Sequence, residues 1–107
     1  MLAPIAVTAQ DLKAGLAAAE AGDYEDALHE LRPLAEQGNV EAQLELGTMY
    51  DLGNGVPTDY QTAVKWYQLS ANQGNMYAQF MLGAKHHLGE GVPQDYTTAH
   101  MWLNVAA

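Results

Sequence analysis

Residues 39–74 read NVEAQLELGTMYDLGNGVPTDYQTAVKWYQLSANQG, and residues 75–107 read NMYAQFMLGAKHHLGEGVPQDYTTAHMWLNVAA. A shift of 36 residues lays Asn39–Ala71 on Asn75–Ala107 without a gap, and 16 of the 33 positions are identical. Self-similarity at this period is the mark of a stacked repeat, in which one supersecondary unit recurs along the chain. The same shift carries Asp23, Tyr24, Ala27, Ala35 and Gln37-Gly38-Asn39 onto Asp59, Tyr60, Ala63, Ala71 and Gln73-Gly74-Asn75, so a third, incomplete copy precedes the other two. In that copy Gly15 lies nine residues before Tyr24, whereas Gly47 and Gly83 lie thirteen before Tyr60 and Tyr96; its internal loop is therefore four residues shorter.

Each unit reads as two helices. Ala42, Leu46, Gly47, Met49 and Tyr50 recur at helical spacing between Val40 and Leu52, and Tyr60, Ala63, Val64, Tyr67 and Ala71 do so between Tyr60 and Asn72. The stretch Leu52-Gly53-Asn54-Gly55-Val56-Pro57 supplies the stop, because glycine adopts the left-handed conformation that ends a helix and proline does not continue one. Asp59 and Asp95 are placed to cap the second helices. Gly47 and Gly83 fall inside first helices, where glycine costs about 1 kcal/mol against alanine. Their recurrence predicts close helix approach, with Ala63 and Ala99 as the small opposing surface and Trp66 and Trp102 wedged between the helices. The expected fold is all-α, an α-solenoid of about six helices over residues 10–107. Its units span about 10–38, 39–74 and 75–107. A lone hairpin of this kind cannot bury its apolar face, and stacked copies share a continuous core.

Composition narrows the function. The chain has 107 residues, 49% of them hydrophobic and 16% charged, enough apolar surface for one core. Thirteen acids against four bases give a net charge of −9, which repels a polyanion, so nucleic acid is not an expected partner. Residues 1–53 hold ten acids, Lys13 and Arg32, for −8; residues 54–107 hold three acids, Lys65 and Lys85, for −1. Without cysteine there is no disulfide, thiolate metal site or cysteine nucleophile. No apolar run reaches the length needed to span a membrane. The opening Leu2–Ala9 is apolar and ends in Val7-x-Ala9, so residues 1–9 read either as the tail of an export signal or as an ordinary N-terminus.

The pattern Ala42-x3-Leu46-Gly47-x2-Tyr50-x2-Gly53-x-Gly55-Val56-Pro57-x-Asp59-Tyr60-x2-Ala63-x2-Trp66-x4-Ala71-x2-Gly74 resembles the Sel-one-like repeats, a subclass of the tetratricopeptide-like solenoids. The copy beginning at Ala78 repeats it, with His86 where Tyr50 stands, a change expected to loosen one packing contact. Residues 12–38 are closer to a plain tetratricopeptide hairpin. The resemblance implies a right-handed solenoid that scaffolds protein complexes, mostly in bacteria, with ligands on the concave face. It also implies export in Gram-negative organisms, to the periplasm or beyond, with the cytoplasm as the alternative. Disulfide-rich relatives have been linked to penicillin binding, which makes a hydrolase-like activity one alternative function. A purely structural place in an envelope assembly is another. Carried onto this chain, the family's first-helix lining is Leu12 and Leu16; Glu41, Leu44, Thr48 and Asp51; and Tyr77, Phe80, Ala84 and His87. Leu12, Leu44 and Phe80 would then form an apolar stripe, suited either to a peptide or to helix packing within the chain.

No constellation of residues points to catalysis. Ser70 is the only serine, without a nucleophile elbow around it, and Gly53, Gly55, Gly89 and Gly91 lack the lysine of a phosphate-binding loop. Adjacent His86 and His87 point about 100° apart on a helix and do not readily share an ion, so with His29 and His100 they read as surface or packing residues, and no metal or cofactor is expected. Glu20, Asp23, Glu25, Asp26 and Glu30 form either a docking patch for a basic partner or a solvated helix face. The chain stops where the previous copy continues as Asn72-Gln73-Gly74, so the last unit reads as truncated; a face that flanking helices would cover is then expected to stand exposed around Met101, Trp102 and Val105, with a homodimer through it.

Overall fold

A computed structural model describes residues 9–106. Among these there are six helices: α1 (Ala9–Ala21), α2 (Tyr24–Glu36), α3 (Val40–Leu52), α4 (Tyr60–Asn72), α5 (Met76–Leu88) and α6 (Tyr96–Ala106). The bounds of α3 and α4 are those that the periodicity predicts. The expected export-signal tail falls largely on residues 1–8, outside the described residues.

Local chemistry fixes the ends of the helices. Asn39 and Asn75 each accept a hydrogen bond from the backbone N–H three residues on, at Ala42 and Ala78, both 2.9 Å. Asp59 accepts from the N–H of Thr62 (3.2 Å) and from its hydroxyl (2.8 Å), and Asp95 does the same with Thr98 (3.1 and 2.7 Å). These bonds satisfy N–H groups that a helix start leaves without partners. At the other end Gly53 and Gly89 close α3 and α5 in the left-handed conformation, with φ of 72° and 71°.

The helices pair as three antiparallel hairpins, α1 with α2, α3 with α4 and α5 with α6, and each second helix also packs against the first helix of the next hairpin. The result is a short stack, 44 × 27 × 25 Å. Ala27, Leu31, Leu34 and Ala35 of α2 meet Ala42, Leu46 and Met49 of α3 in one core. Ala63, Val64, Tyr67 and Ala71 of α4 meet Ala78 and Leu82 of α5 in a second. Both cores lie between units, as the repeat logic requires.

The close approach at the helical glycines differs from expectation in its partner. A Cβ on Gly47 would lie 2.6 Å from the Tyr67 ring, and one on Gly83 would lie 2.9 Å from Leu103 Cγ and 3.2 Å from the Ala99 carbonyl. The side chain that needs the space is therefore an aromatic or a leucine one turn beyond Ala63 or Ala99. Trp66 and Trp102 are half-buried and lie against the first and second cores respectively.

Candidate protein-interaction surface

The residues expected to line the first-helix face separate into two kinds. Leu12 and Leu16 are half-buried against the first core, and Leu44 is half-buried against the second. Thr48 and Ala84 are half-buried, with the Thr48 hydroxyl donating to the Leu44 carbonyl at 3.1 Å. Glu41 and His87 are exposed, and the His87 ring lies 5.2 Å from the Tyr96 ring. Tyr77 is 73% exposed and Phe80 56%, an unusual display of aromatic surface. The apolar stripe does not form one trough. Leu12 and Leu16 line a groove of 320 Å³ with Lys13, Ala17 and Glu20, whereas Tyr77 and Phe80 line one of 610 Å³ with Met76, Leu103 and Ala106.

Asp51 departs from expectation most. It is 8% exposed and belongs to the interior. The Tyr67 hydroxyl donates to its carboxylate at 2.9 Å, and the Lys85 ammonium is paired to the same carboxylate. Lys85 is itself 5% exposed, donates at 2.8 Å to Glu90, and lies 4.4 Å from the centre of the Tyr60 ring. Burial works to lower the Lys85 pKa, but the Asp51 and Glu90 carboxylates outweigh it and the net shift is upward. Burial, aided by the Asp51 carboxylate, pushes the Tyr67 phenol up. Asp51 thus ties α3 to α5 and is not offered to a ligand.

Sequence reasoning missed Lys85, Glu90 and Tyr67, although a signal for them is present. At the 36-residue shift Met49 becomes Lys85, Asp51 becomes His87, Asn54 becomes Glu90 and Tyr67 becomes Leu103, four departures that cluster in space. It also missed Gln43 and Gln79. They are buried, and their amides donate to the Ala35 (3.1 Å) and Ala71 (3.2 Å) carbonyls of the preceding helix. Gln73 then donates to Gln43 of its own unit at 2.8 Å and to the Gly38 carbonyl at 3.0 Å, so the closing turns of successive units are joined.

The acidic residues Glu20, Asp23, Glu25, Asp26 and Glu30 are all exposed, with Asp23, Glu25 and Asp26 gathered at the α1–α2 turn. Glu45 is half-buried on α3; burial, reinforced by the charge of Glu20, raises its pKa. Among the described residues no group of three or more histidines and acids is placed to hold a metal ion, and no helix is long and apolar enough to cross a membrane. The His86 Nδ1 is buried without a hydrogen-bond partner, whereas the phenol of Tyr50, at the same repeat position, accepts from Arg32 at 2.9 Å. On Met101 and Val105 the expected exposure is present, 53% and 55%, but Trp102 is half-buried.

Comparison with known structures places this geometry. A Sel1 repeat protein from Oxalobacter formigenes is 35% identical and superimposes with a TM-score of 0.82, covering 86% of this chain and 38% of that one. A protective antigen of uropathogenic Escherichia coli with an SLR fold is 41% identical, with a TM-score of 0.74 over 76% of this chain and 17% of that one. The chain therefore spans well under half the length of either protein. No curated protein matches it. The sequence model of the Sel1 repeat matches residues 40–75 and 77–107. Sel1 repeats are in general a scaffold for protein interaction and not a catalytic fold. With two tandem matches over most of its length and the right-handed stack of helical hairpins that such repeats build, this chain belongs to the Sel1 repeat family.

Proposed function

We propose that this chain is a non-enzymatic interaction module that holds a peptide or helix of another protein along its first-helix face, over α3 and α5. The observation that carries this reading is the exposure of Tyr77 and Phe80 on α5, which also border a mostly apolar groove running on to Leu103 and Ala106 of α6. Aromatic side chains give large contact area at low entropic cost and are enriched at binding hot spots. Leu44, Thr48 and Ala84 continue the face towards α3, and Glu41 lies on its rim. A ligand with one apolar side and a basic or polar edge fits this surface. The acid-rich first half of the chain draws such a ligand in at long range.

The test is a selection of helical peptides from a random library on the immobilised chain. Selected peptides should lose at least about tenfold in affinity, about 1.4 kcal/mol, on Ala84→Glu or Tyr77→Glu variants that keep their helical circular dichroism. Peptides that bind both variants as tightly as the parent chain would place recognition elsewhere and overturn the proposal.

A further inference from the structure

Two seams join the three hairpins, and they share one apolar frame. Ala35 of α2 meets Ala42 and Leu46 of α3 in the first; the 36-residue shift turns these into Ala71 of α4 with Ala78 and Leu82 of α5 in the second. Apolar burial is non-directional, so faces built this alike do not by themselves fix which hairpin docks where, or at which turn of the helix.

Direction comes from polar contacts, and here the seams differ. Across the first, Arg32 of α2 donates to the Tyr50 hydroxyl of α3 at 2.9 Å. At the same places in the second stand Gln68 and His86. Gln68 donates to Asn72 of its own helix at 2.8 Å and the His86 Nδ1 is buried without a partner, so that link is missing. The second seam has another link in its interior. Aligning Gly15 with Gly47 relates Ala19 to Asp51, and the 36-residue shift relates Leu31 to Tyr67 and Met49 to Lys85. Ala19, Leu31 and Met49 lie together at the first core. Their counterparts are the Asp51 carboxylate, the Tyr67 hydroxyl that donates to it and the Lys85 ammonium paired with it. Three apolar residues give way to three polar ones at a single place.

We propose that these contacts are keys that fix which hairpin docks on which and at what register, with Asp51, Tyr67 and Lys85 as the key of the second seam. A misplaced hairpin meets the wrong key. Seated on α1 and α2, α5 would bury the Lys85 ammonium against Ala19 and Leu31, away from Asp51, and turn His86 towards Arg32. A second copy of α3 seated on α3 and α4 would put Met49 where Lys85 belongs and leave the Asp51 carboxylate buried without a cation. A slip of α5 by one turn parts the same pair. Stranding a charge in an apolar interior costs far more than the matched pair contributes, so the cluster adds little stability and much uniqueness. This device belongs to the stack itself and does not rest on peptide binding.

Amide nuclear magnetic resonance spectra and urea denaturation of the full chain test it. The variant Asp51→Ala/Tyr67→Leu/Lys85→Met gives the second seam the residues of the first, and Asp51→Asn/Lys85→Met removes the charges alone. The parent should show one signal for each amide. Both variants should stay folded, the triple one with a urea midpoint no lower than the parent's. Each should nevertheless show a second set of signals for α5 and α6 with at least about a tenth of the intensity, a gap of at most about 1.4 kcal/mol between placements. A folded variant with one sharp signal per amide throughout overturns the proposal, because α5 then finds its place without the key. Failure of both variants to fold overturns it as well, since the cluster would then hold the fold together and not choose among placements.

Discussion

At Gly47 the space for a methyl group is already occupied by an aromatic ring, and at Gly83 by the end of a leucine. Alanine at either place gains about 1 kcal/mol of helix propensity. Against Tyr67, which is fully buried and held by Asp51, the new methyl forces a shift that costs about 1–3 kcal/mol. We expect Gly47→Ala to lower the urea midpoint and Gly83→Ala to lower it less, because half-exposed Leu103 can turn away while the Ala99 carbonyl, 3.2 Å from the new methyl, cannot. The Lys85 pair offers a second test at this scale. Lys85→Met leaves a buried carboxylate without its cation and should cost about 3 kcal/mol. Adding Asp51→Asn, which removes the charge and keeps an acceptor for Tyr67, should recover at least half of the loss in the same denaturation assay. The pKa values of Lys85 and Tyr67 are both raised in the folded chain, so each group favours folding below its unfolded value and loses that contribution as pH rises. Stability of the parent chain should therefore fall from about pH 10 upward, and the Lys85→Met variant should show a shallower fall.

The helices were legible in the sequence because their stops and caps are local. Gly53 and Gly89 end α3 and α5, and Asp59 and Asp95 start the next helices, each within four residues of the chemistry it serves. The carboxyls of Asp59 and Asp95 are held below the usual range by the Thr62 and Thr98 hydroxyls and N–H groups. A lowered carboxyl pKa favours folding above the unfolded value of about 3.9 and is lost as pH falls through the folded value. Asn in place of both should keep the caps and flatten the acid limb of the stability profile between about pH 5 and 2, read from thermal midpoints. Contacts between elements were less legible. Asp51 falls on the same helical stripe as Glu41, Leu44 and Thr48, and spacing alone makes it a surface residue. Its partners on neighbouring helices, Tyr67 on α4 and Lys85, 34 residues away on α5, make it an interior one. The opposite holds for α2, which runs through Pro33, a residue that ordinarily argues for an earlier stop. Pro33 is exposed and lies near the end of the helix, so its ring meets solvent and few hydrogen bonds are disturbed.

For the whole molecule, stability is a sum over neighbouring units, since each unit touches little beyond the next. The repeat period made this architecture readable from residues 39–107 alone. Which faces remain open was readable only in part, at Met101 and Val105 and not at Trp102, because that depends on what lies across each one. Leu44 and Phe80 hold the same repeat position, yet Leu44 lies against the second core and Phe80 stands 56% exposed. The unit that ends the described chain is packed on one side only. Amide hydrogen exchange should therefore be at least about tenfold faster in α6 than in α3 and α4, a difference of about 1.4 kcal/mol in local opening. Equal protection in all three helices would contradict additive stacking. The claim that the open first-helix face is where a partner binds is tested most directly by nuclear magnetic resonance, titrating a library-selected peptide into the isotope-labelled chain. The account predicts that the perturbed amides and side chains are those around Thr48, Tyr77, Phe80 and Ala84. Perturbations confined to the acidic turn at Asp23–Asp26, with α3 and α5 unmoved, would contradict it.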